Sequence, residues 1–162
     1  MPADAYTIGL RLLLALFAGV VIGLNRDLRN KPAGVRTHAL VGLGTALMVL
    51  VILPPGRPDD APADALSRVI QGVLTGIGFL GAGVILRDPS SGHVTGLTTA
   101  AAIWLTSLIG VACATGRYAA AGCALALGLL AIHLGGPLER GFRRLSSRHR
   151  KQPRQAPARD VD

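Results

Sequence analysis

The stretch Val69–Leu86, VIQGVLTGIGFLGAGVIL, runs for 18 residues without a titratable side chain. An α-helix rises about 1.5 Å per residue, so a helix of this length approaches the roughly 30 Å hydrocarbon core of a bilayer. The apolar residues do not alternate as they do in a half-buried strand, and the many glycines weaken a strand. The stretch therefore predicts a transmembrane helix, which we favour over a re-entrant segment because of its length.

Four other stretches have the same apolar character. Each is 17–19 residues long, and Arg11 is the one Lys, Arg, Asp or Glu within them. They are Tyr6–Leu24, Thr37–Leu53, Leu97–Thr115 and Tyr118–Gly136. A soluble bundle would need polar outer faces that these stretches lack. The sequence therefore predicts an all-α polytopic membrane protein with about five transmembrane helices in residues 1–136.

The charged residues are few and unevenly placed. They make up 16% of the 162 residues, against about 25% in soluble domains, and the net charge is +8. Of the 17 Lys and Arg, 13 lie in the links after the first and third stretches and in the tail, residues 137–162. The positive-inside rule then predicts an outer N-terminus and a cytoplasmic C-terminus. We expect the basic, partly disordered tail to contact anionic lipids, and we expect no nucleic-acid partner.

The third stretch is rich in glycine. Residues 76–81, GIGFLG, match the dinucleotide fingerprint GxGxxG, but that fingerprint needs a strand before it and a helix after it. Glycines in a membrane helix let helix backbones approach closely. We therefore assign five glycines to helix packing: Gly72, Gly76, Gly78, Gly81 and Gly83. A glycine-lined path for an ion or a substrate remains the alternative.

The link between the first two stretches, residues 25–38, reads NRDLRNKPAGVRTH. Pro32 and Gly34 predict a turn between two crossings. Polar groups at the membrane boundary are costly unless they are paired, so we expect Arg36 to pair with Asp27 across the turn. The candidate functional residues here are Asn25, Arg26, Asp27, Arg36 and Thr37.

Two threonines open the fourth stretch. Thr98 and Thr99 are expected either to cap the free N–H groups of the helix or to belong to an anion or ligand site at its end. Near the other side of the membrane, we expect Arg11 to extend to the outer interface with Asp4 nearby. Cys113 and Cys123 are expected to be free thiols.

The sequence carries no recognisable catalytic motif. GxSxG, HExxH and a spaced His/Cys cluster do not occur. We therefore expect no enzymatic activity and no cofactor, and leave a metal site undecided. The inner-side carboxylates Asp27 and Asp88 lie outside the apolar stretches, so a carboxylate relay through the membrane lacks a carrier.

Four segments, in this order, resemble the MgtC/SapB family of bacterial inner-membrane proteins. They are Gly23–Asp27, Lys31–His38, Gly76–Gly83, and Gly96–Ala101 with Trp104. The resemblance implies a multi-pass domain of the inner membrane, with some members linked to growth in low magnesium or survival in hosts. Asn25 stands where the family usually has Glu, whereas Asp27 keeps the second acidic position. Longer members carry a soluble regulatory domain after the last helix, which we do not expect here.

Two functions are compatible with these features. The first is a regulatory or interaction protein, linked to magnesium or stress adaptation, that binds other membrane proteins or a second copy through small-residue helix faces. The second is a transporter or channel for Mg²⁺ or another small solute. The lack of mid-membrane carboxylates favours the first.

Overall fold

The computed structural model describes residues 2–53, 63–87 and 94–149, with side-chain surroundings for residues 5–53, 63–86 and 94–136. The helices are α1 (Pro2–Asp27), α2 (Val35–Leu50), α3 (Ala63–Val84), α4 (Leu97–Ala114) and α5 (Tyr118–His149). Between α3 and α4, the strands β1 (Leu86–Arg87) and β2 (Val94–Thr95) form an antiparallel pair. The predicted all-α class is confirmed.

Four of the helices are long and apolar enough to cross a bilayer, which confirms a multi-pass membrane protein. They are α1, α3, α4 and the part of α5 that spans Tyr118–Gly136. The helix α2 is shorter than predicted, since its 16 residues rise only about 24 Å. It ends at Leu50, and the chain turns over residues 51–53. The residue that follows is Pro54, and a proline disfavours the helical conformation of the residue before it.

The last helix extends beyond the predicted boundary at Gly136. The helical backbone of α5 continues to His149, 13 residues past the end of the predicted fifth stretch. The chain divides into one compact unit that ends at Leu129 and a second that starts at Leu130. Of the segment predicted to be disordered, Arg148–Asp162, the first two residues belong to the helical backbone of α5 and the rest lies outside the described residues. The membrane orientation stays a prediction.

The helix α4 is the central element of the first unit. It packs against α1, α2 and α3, and half of its residues are buried. Its buried hydroxyls find partners inside the protein: Thr106 donates to the Ala102 carbonyl at 2.8 Å, and the hydroxyls of Thr45 and Ser107 are 3.2 Å apart. Such bonds satisfy polar groups that lipid cannot solvate.

Glycine allows α1, α2 and α4 to pack backbone against backbone. A Cβ atom added at Gly42 of α2 would lie 2.6 Å from the Ala15 carbonyl oxygen of α1. A Cβ atom at Gly110 of α4 would lie 2.7 Å from the Gly42 carbonyl oxygen. Both distances are too short for any side chain, so glycine is required at these crossings.

Of the five α3 glycines assigned to helix packing, one lies in contact with another helix of the described chain. A Cβ atom at Gly81 would make ordinary contact with Ala100, at 3.5 Å. Added at the other four positions, it would meet no atom of the described chain within 4 Å: Gly72, Gly76, Gly78 and Gly83. The buried face of α3 carries Val73, Ile77 and Gly81, at helical spacings of four residues. The other four glycines fall off this face, so they do not pack within the described chain.

Candidate functional site

The turn between α1 and α2 is held by Asp27. Its Oδ2 accepts a hydrogen bond of 3.0 Å from the Val35 amide, at the first residue of α2. A side chain at Gly34 would collide with the same carboxylate. A negative charge at a helix N-terminus is favourable because it meets unpaired N–H groups. The expected Asp27–Arg36 pair is therefore replaced by this cap, and the Arg36 side chain is exposed.

Two glycines press the end of α1 against the start of α2. A Cβ atom at Gly23 would lie 2.5 Å from the Val35 Cα, and one at Gly19 would lie 2.9 Å from the Ala39 Cα. Gly19, Gly23 and Arg26 lie on one helical face because they are spaced by four and three residues. The close approach thus carries Arg26 into the protein interior.

Arg26 is buried against the first turn of α4. Its side chain is only 3% exposed, and Nη2 donates to the Thr99 Oγ1, 73 residues along the chain. Thr99 is itself buried. The Arg26 Nε is buried without a hydrogen-bond partner. Two candidates from separate sequence segments therefore meet, and the charged group of this contact is a cation.

His38 lies in the same region and was missed as a candidate. The ring is completely buried, and Nδ1 donates to the Gly34 carbonyl at 3.1 Å. Its Nε2 is buried without a partner. The available signal was its position in the Lys31–His38 segment, one helical turn after a glycine that opens α2.

In the described part of the chain, the N-terminus of α4 has no side-chain cap. The N-cap residue is Gly96, whose φ of 89° is the left-handed conformation that favours glycine. A Cβ atom there would overlap the Val84 carbonyl oxygen. The expected capping by Thr98 or Thr99 is not formed, since neither side chain bonds the helix end and Thr99 accepts from Arg26. Among the described residues, the first-turn N–H groups, which lack intrahelical partners, thus have no side-chain acceptor.

The C-terminus of α4 is closed by a second arginine. Arg11 Nη1 donates to the Ala114 carbonyl at 2.7 Å, and the side chain is half-buried. The contact places the Arg11 guanidinium at the end of α4 that leads into the predicted outer turn, and the side chain of Asp4 lies outside the described part. A positive charge is favourable beside the free carbonyls at a helix C-terminus.

The remaining candidate residues are less buried than Arg26 and Thr99. Asn25 and Thr37 are half-buried, whereas Asp27 and Thr98 are exposed. Within the described residues, no group of three or more His, Cys, Asp or Glu side chains is placed to hold a metal ion. The two cysteines are free thiols, as predicted, although neither belongs to the site.

A family model described as the MgtC family matches residues 12–141. The chain belongs to the MgtC family. This MgtC-family chain is accordingly a multi-pass protein of the bacterial inner membrane. Arg26, His38 and Thr99 all lie inside the matched range.

Several relatives of this MgtC-family chain are similar over most of its length. Protein SrpB of Synechococcus elongatus is 47% identical over 150 residues, which cover 88% of this chain and 78% of SrpB. The Escherichia coli protein named "Putative magnesium transporter YhiD" is 42% identical over 67% of this chain and 51% of its own length. Protein MgtC of Salmonella typhimurium is 41% identical over 67% of this chain and 44% of its own length.

The chain thus spans about half of YhiD and less than half of MgtC. No solved structure matches it.

Proposed function

We propose that this MgtC-family chain is a regulatory or interaction protein, linked to magnesium or stress adaptation, and that it is not an enzyme. It acts by binding a transmembrane helix of another membrane protein, or of a second copy, along α3. The observation that carries this proposal is the open space around Gly72, Gly76, Gly78 and Gly83.

Three of these glycines form a single face of α3. Gly72, Gly76 and Gly83 share this face with Phe79, because their spacings of four and seven residues return to the same side of a helix. Phe79 is 82% exposed. We call the four residues the glycine face of α3. Its shape admits the backbone of an approaching helix, and Phe79 offers that helix apolar contact.

Glycine at these positions has a cost that packing against another helix offsets. A glycine in a helix interior is less favourable than alanine by about 1 kcal/mol. Inside the first unit, Gly42 and Gly110 are glycines because helices touch there. The same residue type on the glycine face of α3 supports a helix partner from another chain, since membrane helices associate through small residues.

Transport of Mg²⁺ is the second candidate, and the printed name of YhiD favours it. Mg²⁺ is bound by oxygen ligands, especially carboxylates, and usually keeps part of its water shell. The buried charge between α1 and α4 is instead the Arg26 guanidinium, which repels a cation. This positive charge favours the interaction function over the transport function.

A photo-crosslinking residue in place of Phe79 tests the partner in native membranes. We expect a crosslink to one membrane protein, or to a second copy, identified by mass spectrometry of the product. Gly76→Leu should abolish the crosslink because its side chain fills the face. Gly44→Leu is the matched control, since Gly44 also has no neighbour within 4 Å but lies on α2. Absence of a crosslink, or equal loss in both variants, contradicts the proposal.

Magnesium flux into proteoliposomes tests the second candidate. We expect the wild-type chain to give no Mg²⁺ entry above that of protein-free liposomes under any gradient. The control is the double variant Asp27→Ala, Arg36→Ala, which removes one negative and one positive charge from the exposed turn. Flux in the wild type that this variant abolishes would establish transport and overturn the regulatory proposal.

A further inference from the structure

We propose that Arg26 and the first turn of α4 bind a phosphate-type oxyanion, supplied either by an anionic lipid headgroup or by free inorganic phosphate. The inference does not depend on the partner proposed for α3. It concerns another set of residues, the polar junction at which α1, α2 and α4 meet.

The first support is the unmatched charge of Arg26. Its guanidinium offers five N–H donors, yet its hydrogen bond goes to the neutral Thr99 hydroxyl and Nε has no partner. Among the described side chains, Arg26 forms no ion pair with a carboxylate. A buried charge is stable when an opposite charge pairs with it. The planar guanidinium matches two oxygens of a phosphate group at once.

The second support is independent and comes from α4. This helix has 18 residues, and no side chain of the described residues caps its first turn. Backbone N–H groups and the helix dipole make such a terminus attract anions. The Arg26 side chain, which is only 3% exposed, points into that same turn, where it bonds Thr99. An anion placed there would neutralise the charge and cap the helix together.

Access and long-range attraction come from exposed neighbours. Leu97 and Thr98 are exposed at the first turn of α4, which gives an approach to its N–H groups. The turn after α1 adds the exposed side chains of Arg29, Lys31 and Arg36. Basic residues at a membrane boundary raise the local concentration of anions and of anionic lipids.

Thermal unfolding of the purified full chain in dodecyl maltoside, a phosphate-free detergent, tests the inference. Four conditions are compared at equal ionic strength: chloride, inorganic phosphate, phosphatidylglycerol, and diacylglycerol as a lipid without phosphate. The variants are Arg26→Gln and, as the matched control, Arg117→Gln. Arg117 is an exposed arginine just beyond the other end of α4.

We expect a saturable rise in Tm of about 2 °C or more for the wild type and for Arg117→Gln. A rise with inorganic phosphate assigns the site to the free anion. A rise with phosphatidylglycerol, but with neither diacylglycerol nor inorganic phosphate, assigns it to the lipid headgroup. In both cases Arg26→Gln loses the response.

Three results overturn the inference: no Tm rise in the wild type, an equal rise with diacylglycerol, or an undiminished rise in Arg26→Gln. If Arg26→Gln does not fold, Arg26→Lys replaces it. That variant keeps the charge but loses the planar guanidinium. The anion concentration that gives half of the maximal Tm rise should therefore be higher than in the wild type. An unchanged concentration dependence in Arg26→Lys counts against the site.

Discussion

The two ends of α4 each meet an arginine from α1, but the electrostatics are opposite. At the C-terminus, Arg11 donates to the Ala114 carbonyl, so a positive charge faces the negative end of the helix dipole. At the N-terminus, Arg26 donates to the Thr99 hydroxyl, so a positive charge faces the positive end. The first contact pairs opposite charges without any ligand. The second is complete only when an anion joins it.

The backbone around each end agrees with this difference. After α4, the Thr115 hydroxyl donates to the Val111 carbonyl at 3.0 Å, and Gly116 turns the chain with a φ of 74°. Free carbonyls there are satisfied within the protein. Before α4, Gly96 turns the chain, and no described side chain accepts from the first-turn N–H groups. We therefore regard the C-terminal contact as structural and the N-terminal contact as functional.

The largest effect is expected from Gly23→Leu, which disrupts the N-terminal end alone. A side chain there meets the Val35 Cα at 2.5 Å, so α1 must move away from α2 and carry Arg26 with it. We expect the free energy of unfolding to fall by about 3 kcal/mol. Thermal or denaturant unfolding in micelles measures it. Gly9→Leu, in open space on the same helix, is the control and should be close to wild type.

Next in size is Arg11→Gln, which disrupts the C-terminal end. It removes a charge-assisted bond to the Ala114 carbonyl and a favourable charge beside the helix terminus. We expect a loss of about 1–2 kcal/mol in unfolding free energy, independent of phosphate. Arg117→Gln should lose less than about 0.5 kcal/mol, since its side chain is exposed. Equal losses of unfolding free energy in the two variants would contradict a structural role for Arg11.

Asp27→Ala probes the N-terminal end through α2 instead of α4. The variant loses the acceptor for the Val35 amide, and we expect unfolding to become easier by about 1 kcal/mol. Asp27→Asn keeps an oxygen at the same place and should lose less. A larger loss in Asp27→Asn than in Asp27→Ala would show that the carboxylate does not act as a cap.

The smallest effect is expected midway between the two ends. Thr45→Val removes the hydroxyl that bonds Ser107 of α4, and we expect a loss of about 0.6 kcal/mol. Thr75→Val is the control because its hydroxyl bonds only the Gln71 carbonyl of its own helix. If Thr45→Val loses more unfolding free energy than Arg11→Gln, the contacts that stabilise α4 most do not lie at its ends.

Much of the fold could be predicted from hydropathy because a membrane helix must satisfy its own backbone. The predicted stretch Leu97–Thr115 differs from α4 by one residue at its end. The prediction was less accurate for α2 and α5, since hydropathy measures apolar length and not the position at which a helix ends. Leu50 ends α2 three residues before the apolar stretch does, and α5 continues past Gly136.

The site was only partly predictable, because helix contacts depend on which faces meet. Arg26 and Thr99 were each candidates, but nothing local brings together residues 73 positions apart. The expected Asp27–Arg36 pair does not form because the Asp27 carboxylate instead accepts a hydrogen bond from the Val35 amide, at the start of α2. The glycines of α3 show the same limit. A small-residue pattern indicates that a helix can be approached closely, but not which helix approaches it.

The sign of the Arg26→Gln effect, beside that of Arg11→Gln, distinguishes the two ends of α4 most directly. Both variants are unfolded in dodecyl maltoside and chloride, without phosphate or added lipid. We predict that Arg11→Gln lowers Tm, whereas Arg26→Gln leaves Tm unchanged or raises it by removing an unmatched charge from a positive helix end. A fall in Tm for Arg26→Gln as large as that for Arg11→Gln would contradict the difference between the two ends.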